Sequence, residues 1–210
     1  DCESMMALKD LMDTLGSPNI DCRQDGAYLD PMLRSSYVFN STISGIDVAD
    51  ACLLIGTNPR IEAPVLNARI RNRSIKGRFP IGVLSEFQNK SIDLTYDYKY
   101  LGGKTNTMLS LADGTHAFSK ILTKAKRAML VIGQGGLRGP DGGKKLNIAR
   151  TIAETCNMID EKIGWNGFNV LHTAAARVGG LDIGFVPGNA GLDLEGILNA
   201  AEIGELDLLY

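Results

Sequence analysis

The 210-residue sequence has only two histidines, His116 and His172. Neither has a Ser, Cys or carboxylate at a spacing that reads as a catalytic triad, so both are read as structural. Its four cysteines, Cys2, Cys22, Cys52 and Cys156, form no CxxC pair. Zinc and iron–sulfur sites usually show at least one close pair. The spacing therefore argues against a metal centre and for small buried hydrophobes in a reducing compartment. Aromatic residues make up 6% of the chain, too few for stacking platforms on single-stranded nucleic acid. A net charge of −2 gives no electrostatic case for nucleic-acid partners. No apolar run approaches the roughly 18 residues of a membrane helix, which excludes direct insertion by that route. Asp10, Asp13, Asp160 and Glu161 fall on helix surfaces or ends and form no evident acid–base couple. The chain has no initiator Met and no secretory leader pattern. It opens inside a helical pattern and ends on Leu206–Tyr210, which reads as a strand. The expectation is a fragment, residues 1–210, cut at both ends from a longer polypeptide.

What is present is concentrated in residues 50–71, DACLLIGTNPRIEAPVLNARIR. The apolar run Ala51–Ile55 reads as a buried strand that stops at Gly56-Thr57-Asn58-Pro59. A helix from about 60 to 73 follows, with Ile61, Val65 and Ala68 marking its buried face and Leu66 and Ile70 widening it. A strand that turns at once into a helix N-terminus is where open α/β sheets bind ligands, because free amides and the helix dipole converge there. Gly56 permits close backbone approach, Thr57 and Asn58 can cap, and Pro59 suits the first helical turn.

Elsewhere, Met5, Leu8, Met12 and Leu15 recur at helical spacing up to Gly16. Ile20–Arg23 reads as a short strand, and 24–44 as a long irregular connection. Ile81–Leu84 is a second buried strand, and 91–103, with three tyrosines, an irregular contact surface. A helix from Thr115 to Ala125 leads to the strongest strand, 128–132. Leu146, Ala149, Ala153 and Cys156 share a helix face. Phe168–Leu171 is a strand, 173–178 a helical turn, and the last helix buries Leu194, Ile197, Leu198 and Ala201. Alternating strands and helices predict an α/β fold, a largely parallel sheet with helices on both faces.

The loop 133–145, GQGGLRGPDGGKK, follows a strand and opens a helix, where a phosphate cradle would sit. It misses both common templates: G-x-G-x-x-G fits Gly133 and Gly135 but meets Arg138, and the P-loop needs Gly at 138 and Ser or Thr at 145. The alternatives are a nucleotide loop of unusual form and a plain βα connection. Arg60, Arg69, Arg71, Arg73, Lys76 and Arg78 form a basic cluster. It reads as a partner surface or a solvated face, with phosphate contact a further option.

At GTNPRIEAPVLNARIR, 56–71, the sequence resembles molybdopterin-dinucleotide oxidoreductases of the formate dehydrogenase type, whose fold is Rossmann-like. In that family this turn borders the nucleotide half of the cofactor. IDCRQDGAYLD (20–30), IDLTYDYKYLGG (92–103), VIGQGGLRGPDG (131–142) and AARVGGLDIGFVPG (175–188) narrow the match. They resemble the C-terminal, molybdoenzyme-like region of the large iron–sulfur subunit of respiratory complex I.

The resemblance implies a packed scaffold that carries no redox centre and no molybdenum cofactor. Iron–sulfur clusters are expected in Cys-rich N-terminal domains outside this chain, and the partners would be other peripheral-arm subunits of complex I. The whole complex passes electrons from NADH through FMN and iron–sulfur clusters to quinone, coupled to proton translocation. Its peripheral arm lies on the cytoplasmic face of a bacterial inner membrane or the matrix face of the mitochondrial one. Gly56, Thr57, Asn58, Gly133, Gln134 and Gly135 would then be vestiges of a cofactor site. The alternative is a cofactor-binding fragment of an active molybdopterin-dinucleotide enzyme. The loop LRSSYVFNSTIS, 33–44, stands where that family places a metal ligand and has no Cys, so Ser35 or Ser36 would have to serve. A third reading is an independent nucleotide-binding module.

Overall fold

Four strands lie on buried, largely apolar segments, β1 Ala51–Ile55, β2 Ile81–Leu84, β4 Ala128–Gly133 and, last, β7 Phe168–Leu171, and a fifth, β3 Lys99–Gly102, is more exposed. In the computed structural model, which describes residues 1–86 and 92–210, they form one sheet in the order β3-β2-β1-β4-β7. All four pairings are parallel, with Ala51 opposite Ala128 and Cys52 opposite Ile81. Parallel strands of this kind are covered on both faces, which is why β1, β2 and β4 are apolar at every position instead of alternating. Two short strands between β4 and β7, β5 Ile159–Asp160 and β6 Trp165–Asn166, make a separate antiparallel pair.

Ten α-helices are described: α1 Cys2–Leu15, α2 Thr42–Gly45, α3 Pro59–Glu62, α4 Pro64–Ile75, α5 Thr105–Ala112, α6 Ala117–Lys124, α7 Gln134–Leu137, α8 Gly142–Thr155, α9 Arg177–Asp182 and α10 Leu194–Glu202. Successive strand residues feed opposite cores. Leu53, Ile55, Leu130 and Ile132 pack with Leu111 of α5, Phe118 and Leu122 of α6, and Leu146 and Ile152 of α8. Cys52, Leu54, Met129 and Val131 pack with Leu66 and Ile70 of α4 and with Phe79 and Trp165. Helices therefore cover both faces, as the alternation of elements predicts.

Several local expectations are corrected. The helix after β1 is two helices, broken at Ala63 before Pro64, because a residue preceding proline is pushed out of the helical region. Its buried face is Leu66, Asn67 and Ile70, while Ile61 and Val65 are exposed. The 91–103 stretch is not all irregular: its last residues form the edge strand β3, and Leu94 and Tyr96 pack into the second core. Ser91 lies outside the described residues. Residues 20–23 and 206–210 form no strand, 173–178 gives way to α9 starting at Arg177, and α5 is an additional helix that the sequence pattern does not predict. On α10 only Ala200 is buried, and Leu198 points to solvent. Of the cysteines, Cys22, Cys52 and Cys156 are buried as expected, but Cys2 is exposed.

The long connection 24–44 seals the free edge of β7. Val170 N–H donates to the Val38 carbonyl at 3.2 Å. Asn169, fully buried within β7, accepts from Ser41 N–H at 2.9 Å and donates to the Leu130 carbonyl at 3.1 Å. An edge strand is thereby paired instead of left open.

Candidate functional site at the sheet switch point

The chain leaves β1 toward β2 on one side and reaches β4 on the other, so the connections diverge between β1 and β4. In open parallel sheets a ligand crevice forms at that divergence, beyond the C-terminal ends of the strands. Here two turns occupy it: Gly56-Thr57-Asn58 after β1, and the residues from Gly133 onward, which coil into the short helix α7.

The two turns are in contact. Gly56 has φ +56°, and a Cβ on it would lie 2.4 Å from both Cα and N of Gly136. A Cβ on Gly133 would meet the Thr57 Cβ at 2.5 Å, and one on Gly135 the Gly56 carbonyl at 2.9 Å. Only glycine lets both backbones approach this closely. The sequence-predicted residues Gly56, Thr57, Gly133 and Gly135 are thus brought together, against one another.

The donors of the first turn already have an anion. Asn58 N–H donates to Glu62 Oε1 at 2.6 Å, and the buried Thr57 hydroxyl donates to Glu62 Oε2 at 2.9 Å. The Asn58 side chain caps α3 by accepting from Arg60 N–H at 3.2 Å. Glu62 folds back from the end of its own helix to neutralise the N-terminal amides, the reciprocal half of a capping box one position late. A phosphate approaching this turn would meet a carboxylate where free amides are required.

The second turn is also committed. Gln134 is buried, donating through Nε2 to the Leu171 carbonyl at 3.0 Å and accepting from Arg177 Nη1 at 2.6 Å. Arg177 also pairs with Asp25 at 3.0 Å, and Arg138 reaches the same carboxylate at 3.1 Å. Burial alone would raise the Asp25 carboxyl, but the two arginines and the Ala27 amide outweigh it and hold it below the ordinary carboxylate range. Among the described residues, the buried Arg177 Nε and His172 Nδ1 have no hydrogen-bond partner. Burial pushes the His172 imidazole below its usual value, against the Tyr37 carbonyl at Nε2, which favours the charged form.

Beside the turns lies a cleft of about 340 Å³, bordered by Gly56, Glu62, Ser85, Glu86, Met108 and Lys145 among others. Lys145 Nζ is 3.0 Å from Glu86 Oε1. Two carboxylates against one neutralised ammonium make a poor cradle for a pyrophosphate. Ser35 and Ser36 do not border this cleft. The buried Ser36 hydroxyl is engaged with the carbonyls of Asp30 and Leu33, at 3.1 and 2.6 Å, and the Ser35 carbonyl accepts from Asn40 at 2.7 Å. Both belong to the turn that precedes the seal on β7.

Among the described residues, no three His, Cys, Asp or Glu side chains converge on a point that would hold a metal ion. Burial pushes the Cys52 thiol up to about 12, so it stays protonated. Sequence reasoning found the glycines of both turns and missed Glu62 and Arg177. The signal for Glu62 was present as an acid four residues after the capping Asn58. Arg177 has no local signature, because its partners Asp25 and Gln134 are remote in sequence.

A family model described as Molybdopterin oxidoreductase matches residues 1–210. The chain belongs to the molybdopterin oxidoreductase family. Within it, the chain is similar to components of NADH dehydrogenases. It is 40% identical over 187 residues to the mitochondrial NADH dehydrogenase [ubiquinone] iron-sulfur protein 1 of Solanum tuberosum, covering 89% of this chain and 24% of that protein. It is 40% identical over 208 residues to an NADH-quinone oxidoreductase subunit of Rickettsia conorii, covering 99% and 28%. The NADH-ubiquinone oxidoreductase 75 kDa subunit of Reclinomonas americana is 35% identical over 197 residues, covering 88% and 28%. The chain thus spans about a quarter of the length of these relatives. No helix among the described residues is long and apolar enough to cross a membrane.

The family's name implies a molybdopterin, an anionic pterin, and the switch-point residues do not fit such a group. The first-turn donors are spent on Glu62, the backbones touch through Gly56 and Gly136, and the cleft beside them carries two carboxylates.

Proposed function

We propose that this chain is a non-catalytic scaffold segment of the large iron–sulfur subunit of NADH:quinone oxidoreductase. The complex transfers electrons from NADH through FMN and iron–sulfur clusters to quinone, and this segment carries none of its centres. The observation that carries the reading is Glu62, whose carboxylate satisfies Asn58 N–H and Thr57 at the turn where the family holds its cofactor. Gly56, Thr57, Asn58, Gly133, Gln134 and Gly135 serve the packing of two turns, and Ser35 and Ser36 serve the seal on β7. The names of the relatives, all components of NADH dehydrogenases, support the choice of complex.

In this reading the clusters belong to other domains of the subunit, the neighbours are peripheral-arm subunits, and the arm projects into the bacterial cytoplasm or the mitochondrial matrix. Electron tunnelling requires a chain of redox centres, and the segment contributes rigidity between domains that have them. The test is affinity isolation of the full-length protein from its native membranes. NADH:quinone oxidoreductase activity should co-purify with it. Recovery instead with formate-oxidising activity and bound pterin would replace this reading with the catalytic one.

A further inference from the structure

We propose that the outward face of α4 is a docking surface for an acidic amphipathic helix of a neighbouring protein. This rests on the scaffold reading only in assuming that the segment works by contact. Residues 63–79 contain five Lys and Arg and no acid. The helix is anchored by its inner face. Leu66 and Ile70 enter the core, and Asn67 donates to the Leu94 carbonyl at 3.1 Å while accepting from Tyr96 at 2.8 Å. Arg73 belongs to this anchoring side: its guanidinium stands 4.8 Å over the Phe79 ring and donates to the carbonyls of Ala49 and Gly77.

The outer face has a different pattern. Val65, Ala68, Asn72 and Ile75 are all exposed, and their spacing of three, four, three places them in one stripe. Val65 is 83% and Ile75 67% exposed. A helix of a globular domain normally turns such positions inward. This stripe therefore has the form of a helix–helix seam without its partner. The Asn in the middle of a seam is the residue type that fixes register at some cost in stability.

The flanks specify the partner's charge. Arg69 and Lys76 lie along one side of the stripe and Arg71 along the other, the positions that face a partner's flanking residues. Among the described residues the side chains of Arg71, Lys76 and Arg78 make no ion pair or hydrogen bond. Arg69 pairs with Asp47 at 2.9 Å on the surface. A second copy of this face would set cations against cations. A nucleic acid would not use Val65 and Ile75, and a stripe one residue wide without aromatics is too narrow to seat in a bilayer. A helix with Asp and Glu at its flanking positions and aliphatic residues between them complements both features.

The experiment uses the full-length protein in its native assembly, with a photoreactive amino acid replacing Asn72. The expected product is a cross-link to a helix of a neighbouring protein that carries Asp or Glu on both sides of an aliphatic stripe. Arg71→Glu combined with Lys76→Glu should lower recovery of that neighbour on the order of 10-fold at low salt, with a smaller effect as salt rises. Its melting temperature should stay at the wild-type value, because both side chains are exposed. Cross-links to a second copy, nucleic acid, lipid, another part of the same chain, or nothing would overturn the proposal, as would unchanged recovery. If the double variant fails to fold, the cross-link, made with the wild-type charges, decides. Absence of NADH:quinone oxidoreductase subunits from the assembly would remove the complex I reading and leave the docking result standing.

Discussion

Replacing Gly56 with Ala tests the contact between the two turns directly. The position costs an L-residue twice. Its φ of +56° is left-handed, a conformation worth roughly 1–2 kcal/mol against a non-glycine residue. The added Cβ would also stand 2.4 Å from Gly136, where ordinary contacts begin near 3.4 Å, so the backbones must separate by about 1 Å. Overpacking of that size costs about 1–3 kcal/mol. The sum, about 2–5 kcal/mol, corresponds to a loss of roughly 4–20 °C in a chain of this length. Gly16→Ala is the control. Gly16 has φ +70° at the C-cap of α1 and nothing within 4 Å of its Cβ position, so only the conformational cost remains. Calorimetric or circular-dichroism melting should place Gly56→Ala well below Gly16→Ala. Equal losses would refute the claim that the turns touch.

Other perturbations separate the remaining interactions. Glu62→Gln removes a charge from bonds to Asn58 N–H and Thr57 and should cost about 1 kcal/mol in chemical denaturation, whereas a Glu62 free in solvent would cost nothing. Arg177→Met leaves Asp25 to Arg138 and the Ala27 amide and the Gln134 carbonyl oxygen without its donor, and should destabilise by about 1–3 kcal/mol, measurable as a lower urea midpoint. Two lowered groups near the second turn contribute to the pH response, with the exposed Asp93, Asp113 and Asp182 lowered as well. His172 binds its proton more readily unfolded than folded, so its contribution is present above its ordinary value of 6.5 and is lost as pH falls below it. Asp25 contributes above its ordinary value of 3.8 and loses that contribution as pH falls further. His172→Gln should flatten the step near its ordinary value and leave the acid step shared by Asp25 and the other lowered carboxylates. Of the four thiols, only Cys2 is exposed, so a disulfide-exchange reagent should label one site rapidly in the native protein and the others on unfolding.

The parts of the fold that were legible in sequence are those whose signal is local. β1, β2 and β4 are continuous apolar runs because both faces of a parallel sheet are covered, β7 is apolar apart from the buried Asn169, and each lies within a residue of the segment the sequence marks. Gly16 stops α1 as its C-cap, and the glycines of both switch-point turns stand out. What failed was decided by packing at a distance. Ile61 and Val65 have the periodicity of a buried face, but Pro64 rotates the helix and Leu66 and Ile70 enter instead. The exposed edge strand β3 lacks the apolar run that marks its neighbours. Ile20 and Cys22 read as a strand because they are buried, yet they are buried as an irregular segment against the α1 side. At the candidate site the glycines gave the shape of the turns, while the carboxylate filling them and the buried Arg177–Asp25–Gln134 network depended on contacts no spacing encodes.

On the proposed scaffold reading, Glu62 of the chain itself takes up the turn donors that a cofactor would need. The most direct test of that reading is the content of molybdenum, tungsten and oxidised pterin in the purified full-length protein, measured per polypeptide. None of the three should exceed trace level. Stoichiometric molybdenum or tungsten together with a pterin would contradict the reading.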